Sequence, residues 1–85
     1  MQKLNYTVKD ELGLHARPAG LLVKLCSGFK SDIQMSKGDK YVSAKKIFAV
    51  MGLGVKCGEE ISFTVSGEDE ADALRALEEF LFGNL

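Results

Sequence analysis

The chain is defined first by what it has little of. Its 85 residues include one histidine (His15), one proline (Pro18), two cysteines and no tryptophan. One histidine with two cysteines leaves no zinc constellation, and Cys26 and Cys57 stand too far apart for a C-x-x-C redox pair. No metal and no cofactor are expected, and both cysteines read as reduced thiols packed like small hydrophobes. There is also no excess of positive charge: 11 Lys+Arg face 12 Asp+Glu, a formal net charge of −1. Nucleic-acid binding rests on neutralising phosphates, so no nucleic-acid partner is expected. Long hydrophobic runs are missing too. The longest, Ile47 to Met51, is far too short to cross a bilayer, which excludes membrane insertion by a helix. Met1-Gln2-Lys3-Leu4-Asn5 offers no apolar targeting region, and the expected setting is cytoplasmic. Finally, length is scarce. Residues 1–85 suffice for one domain and exclude a TIM barrel, a doubly wound Rossmann sheet or a separate cofactor domain.

What is present is strongly patterned. Leu4, Tyr6 and Val8 alternate with Asn5, Thr7 and Lys9, the period of a strand with one buried face. Pro18 opens a helical segment in which Leu21, Leu22, Leu25 and Phe29 recur at helical spacing, with Gly28 as its stop. Ile33 and Met35 alternate with Gln34 and Ser36, and Gly38-Asp39 is a hairpin signal leading into Tyr41-Val42-Ser43. Lys45 to Met51 does not alternate and reads as a short helix closed by Gly52 and Gly54. Ile61, Phe63 and Val65 make a fourth strand. Asp69 is placed to cap a last helix with Glu70 and Asp72 in its first turn and a stripe of Ala73, Leu74, Leu77, Phe80 and Leu81. The order β-α-β-β-α-β-α predicts an α+β open-faced sandwich, a four-stranded antiparallel sheet with helices on one face.

The chemistry concentrates in Gly13-Leu14-His15-Ala16-Arg17-Pro18-Ala19-Gly20. His15 falls at the expected N-cap of a helix, where the first N–H groups lack intrahelical partners and favour an anion. Arg17 adds a fixed cation whose planar fork matches phosphate oxygens. A neutral imidazole has a free lone pair, and a neighbouring cation and a helix N-terminus both favour the neutral ring. Together these suit covalent phosphorylation of histidine. No second general base or Mg²⁺-binding carboxylate cluster accompanies them, so a relay component is expected rather than an independent enzyme. The bland reading is a surface histidine, with Arg17 paired to a carboxylate such as Glu11.

The segment Gly13 to Ala19 resembles the active centre of the HPr family, the histidine-containing phosphocarriers of the phosphoenolpyruvate:sugar phosphotransferase system. The likeness extends over essentially the whole chain, through Lys45 to Gly54 and Ser66-Gly67-Glu68-Asp69-Glu70. It implies that His15 takes a phosphoryl group on Nδ1 from phosphorylated enzyme I and passes it to IIA domains of sugar permeases. It also implies that Arg17 stabilises the group in transit and that Pro18 fixes the turn. The short second helix would supply an apolar docking patch of Ile47, Phe48 and Met51, with Gly20 and Lys24 contributing from the first helix. Val50 is expected in the core.

One departure stands out against that resemblance. Many relatives carry a regulatory serine just before the second helix, phosphorylated by an ATP-dependent kinase; here the position is Lys46, and Ser43 is a poor substitute. No regulatory serine is therefore assigned. Ala49 also lacks a lysine that some relatives carry. Two alternatives stay open: a regulatory interaction module whose partner binding is modulated by His15 phosphorylation, and a nitrogen-branch phosphocarrier. Regulatory proteins are thus a further partner class, and a monomer is the expected state.

Overall fold

The period-two segments fold as strands and the other apolar segments as helices joined by loops, in a computed structural model that describes residues 1–85. The elements run β1 (Gln2–Thr7), α1 (Ala16–Ser27), β2 (Asp32–Lys37), β3 (Lys40–Ser43), α2 (Ile47–Gly52), β4 (Glu60–Ser66) and α3 (Glu70–Asn84). All four strands pair antiparallel in the order β1-β4-β2-β3. The register brings Leu4 opposite Phe63, Tyr6 opposite Ile61, and Met35 between Phe63 and Val42. One face of the sheet is therefore apolar, while Lys3, Asn5, Thr64 and Gln34 line the other.

The apolar face is where the helices sit. Ile33, Met35, Ile61, Phe63 and Val65 pack with Ala19, Leu22 and Cys26 of α1, Val50 of α2, and Ala73, Leu77 and Leu81 of α3. A fully buried side chain of this size contributes roughly 1.5–3 kcal/mol relative to its exposed state. The β2–β3 hairpin turns at Gly38-Asp39 with Lys37 opposite Lys40. Gly38 has φ +60° and no non-glycine residue has positive φ, so only the first central position uses the left-handed region, as a type II′ turn assigns it to glycine.

Three expectations need adjustment. The first helix starts at Ala16, before Pro18, which stands third in the helix. Proline is tolerated there because that N–H has no intrahelical acceptor, and the first i→i−4 bond is Ala19 N–H to His15 carbonyl (3.0 Å). Asp69 is the N-cap of α3, but its side chain does not cap the helix. Its carboxylate instead accepts the Lys30 and Ser31 amides (both 2.9 Å) and the Ser31 hydroxyl, tying the start of α3 to the α1–β2 connection. The third concerns the cysteines. Cys26 is buried as expected, but Cys57 is exposed, because it lies in the loop between α2 and β4 and so outside the elements whose apolar faces build the core.

Candidate functional site

The site is built at the β1–α1 junction. After Thr7 the chain makes a tight turn. The Gly13 amide donates to the Asp10 carbonyl (2.9 Å) and the Leu12 amide donates to Asp10 Oδ1 (2.9 Å). Gly13 has φ +67°, and a Cβ there would run into the Val55 carbonyl oxygen and come within 2.8 Å of Lys56 Cα. Only glycine meets both demands. Leu14 is then buried, and its amide donates to the Val55 carbonyl (3.0 Å). With its neighbour locked into the core, His15 emerges in extended conformation (φ −87°, ψ −178°) as the N-cap of α1.

The His15 ring does not cap the helix. Its side chain is 37% exposed, and the only ion-pair contact it makes is with Asp10, whose Oδ2 lies 3.9 Å from Nε2. The backbone N–H groups of Ala16 and Arg17 have no acceptor within the protein, and Pro18 has no N–H. Two unpaired donors therefore stand one and two residues beyond the ring, at the positive end of the helix. Arg17 is exposed and makes no ion pair, so the pairing with Glu11 raised by the sequence is not made. Asp10, His15, Arg17, Pro18, Leu21 and Asn84 line one shallow depression of about 180 Å³. The arrangement can accept a compact anion: two amide donors, a guanidinium without a partner, and a nucleophilic ring at the rim.

The structure separates the expected apolar patch from the core residue by residue. Val50 is fully buried, Ile47 is half-buried against the core, Phe48 is 86% exposed and Met51 is 41% exposed. Gly20 and Lys24 are exposed on α1, against which α2 packs. Lys46 is the N-cap of α2 and exposed, without a side-chain capping bond. Its neighbour Lys45 is half-buried and donates to the Phe29 carbonyl (2.8 Å). Beyond the expected set, the site includes Asp10 and, from the walls of the depression, Leu21 and Asn84. Asp10 had a signal in the sequence, a turn-forming residue three positions before Gly13; Asn84 comes from the far end of the chain and had none. A wider groove of about 630 Å³ adjoins through Leu21 and Asn84 and is floored by Leu25, Phe29 and Phe80. Lys24 is its one charged group.

Comparison with known proteins identifies the family. Residues 2–82 match the family described as "PTS HPr component phosphorylation site". The chain is similar to HPr-C-His from Thermoanaerobacter tengcongensis, with 38% identity and a TM-score of 0.93, covering 98% of this chain and 93% of that one. It is similar to the phosphocarrier protein HPr from Bacillus anthracis, with 36% identity, a TM-score of 0.87 and coverage of 94% and 95%. It is also similar to Crh, the catabolite repression protein of Bacillus subtilis, which was crystallised as a domain-swapped dimer, with 36% identity, a TM-score of 0.77 and coverage of 100% and 98%. With the family match over nearly its full length and solved relatives of the same fold, the chain belongs to the HPr family of phosphocarrier proteins.

Proposed function

We propose that this chain carries a phosphoryl group on His15 Nδ1, taken from phosphorylated enzyme I and given to IIA domains of sugar permeases. The observation that carries the reading is the N-terminus of α1: a half-exposed His15 as N-cap, followed by two amides without acceptors and an unpaired Arg17. The phosphoryl oxygens gain donors there as the group arrives, and Arg17 offsets their charge. Pro18 holds the first turn and removes a donor that would otherwise need a partner. Phe48, Met51 and Ile47 with Gly20 and Lys24 form a small docking face suited to weak, reversible contact, as a shuttle needs. The protein works as a monomer in the cytoplasm, exposing that face to successive partners. Lys46 holds a positive charge where a regulatory phosphoserine would add a negative one, so serine-based control is absent.

The test uses phosphoenolpyruvate, enzyme I and the purified protein. One acid-labile, base-stable phosphoryl group is expected, absent in His15→Ala, and transferable to a IIA domain. No label on the folded wild-type protein would defeat the reading. Light scattering checks the monomer, and incubation with an ATP-dependent HPr kinase should leave no phosphoserine.

A second reading draws on the similarity to Crh, a protein named for catabolite repression. In it the chain is a regulatory module whose partner binding responds to His15 phosphorylation. Sugar-dependent growth of a strain without other HPr proteins separates the two: rescue supports the carrier, and labelling without rescue supports the regulator.

A further inference from the structure

Asp10 sits at the site without a role in the reading above. The residue is held in place at three points, one on its carboxylate and two on its main chain. Oδ1 accepts the Leu12 amide (2.9 Å), the Asp10 amide donates to the Leu85 carbonyl (2.9 Å), and the Asp10 carbonyl accepts the Gly13 amide (2.9 Å). That leaves Oδ2 facing His15 Nε2 at 3.9 Å, longer than a hydrogen bond but within direct electrostatic reach. The other charged group lining the depression is Arg17, on the helix; Asn84 of α3 and the remaining walls are neutral. Charges of both signs thus line the depression that holds the ring: an anion on the β1–α1 loop, facing Nε2, and a cation from the start of α1.

We infer that Asp10 is a positioning residue for the phosphoryl transfer proposed for His15. An ionised carboxylate only accepts hydrogen bonds, so it favours the ring form with hydrogen on the facing Nε2. Nδ1 is then the nitrogen with the free lone pair. In the transfer, that lone pair forms the Nδ1–P bond while the bond from phosphorus to the donor breaks and its electron pair leaves with the donor. The hydrogen stays on Nε2, so the ring becomes cationic, and the Asp10 carboxylate offsets that charge. In the onward step the Nδ1–P pair returns to Nδ1 as the acceptor bonds phosphorus, and the ring is neutral again. No proton enters or leaves in either step.

This inference rests on the carrier reading, and its test separates the two. Asp10→Asn keeps the shape and can still accept the Leu12 amide, and Asp10→Glu restores the charge. Nitrogen-15 NMR of the unphosphorylated protein reads which ring nitrogen carries hydrogen, whether or not the carrier reading is right. In spectra of the neutral ring, Nε2–H is expected to dominate in the wild type, with a larger Nδ1–H fraction in Asp10→Asn. Single-turnover transfer from phosphorylated enzyme I should be about tenfold slower in Asp10→Asn, with unchanged KM for enzyme I and partial recovery in Asp10→Glu. Hydrogen on Nδ1 in the wild type, or an Asp10→Asn variant with wild-type tautomers or wild-type rates, would overturn the role of Asp10. A wild-type protein that takes no phosphoryl group at all overturns the carrier reading instead.

Discussion

At the scale of single residues, the site works because neighbouring positions have different obligations. Leu14 is buried, Pro18 is buried, and between them His15 is half-exposed and Arg17 exposed. The scaffold is therefore fixed on both sides of the two groups proposed to handle the phosphoryl group. Since Arg17 makes no ion pair, Arg17→Ala should leave the thermal midpoint unchanged. Loss of one charged donor to the phosphoryl group should slow transfer roughly 10- to 100-fold. Arg17→Lys should recover part of that, because an ammonium supplies charge without the planar fork. Equal transfer rates for wild type and Arg17→Ala would remove Arg17 from the mechanism.

The two thiols make a second residue-scale contrast. Burial pushes the Cys26 thiol up to about 11, against a smaller downward pull from Lys45, so at neutral pH it is protonated and shielded. Cys57 is exposed. A thiol reagent should modify one cysteine, Cys57, in the folded protein, and Cys26 only after unfolding in denaturant. Rapid reaction of both under native conditions would contradict the packing of α1.

At the scale of elements, α2 shows how a single short helix serves two demands. Its apolar residues do not alternate, and six residues cannot present a full amphipathic stripe. Val50 faces the core, fully buried, while Phe48 is 86% exposed. Val50→Ala should destabilise the fold by about 1–3 kcal/mol in chemical denaturation. Phe48→Ala should change stability by no more than about 0.5 kcal/mol, and instead raise the KM for enzyme I several-fold. A stability loss in Phe48→Ala as large as that of Val50→Ala would place Phe48 in the core. The same element marks a limit of sequence reading. An unbroken apolar run said that something in it is buried, but which residues stay outside depends on where β3 and α1 place the helix axis.

At the scale of the whole molecule, the helical layer is tied to the sheet connections by polar contacts between distant parts of the chain. Asp69 joins the start of α3 to Lys30 and Ser31, and Gly67 packs so closely that a Cβ would lie 2.6 Å from Ser31 Oγ. Ser31 is buried, and its only side-chain partner is this carboxylate. The Ser31 hydroxyl, with help from the Lys30 amide, holds the Asp69 carboxyl below its ordinary value. A carboxyl lowered by folding stabilises the native state above the ordinary carboxylate range, and that contribution is lost as pH falls through the lowered value. Asp69→Asn should therefore unfold at lower urea than the wild type at pH 7. The gap should close as both are acidified below the carboxylate range. A gap independent of pH would mean that the contact is not electrostatic.

By itself, the sequence determined what is local. Period-two and helical spacings assigned five of the seven elements, because alternation dictates which side of a strand is wet; the Gly38-Asp39 hairpin signal assigned β3 and the non-alternating run Lys45 to Met51 assigned α2. Gly13, His15, Arg17 and Pro18 could be read as one site because they are chain neighbours at a helix start. Only tertiary structure decided what depends on partners distant in sequence. The strand order β1-β4-β2-β3 places the last strand between the first two, a choice that no strand's own pattern contains. Asp69 looked like a helix cap and became a clasp, because the α1–β2 connection supplies donors that outcompete the amides of its own helix. His15 and Arg17 suggested a site of positive sign, and the turn at Asp10 adds a fixed carboxylate beside the ring. Periodicity tells a residue which way to face; only chain closure and packing tell it what it will meet there.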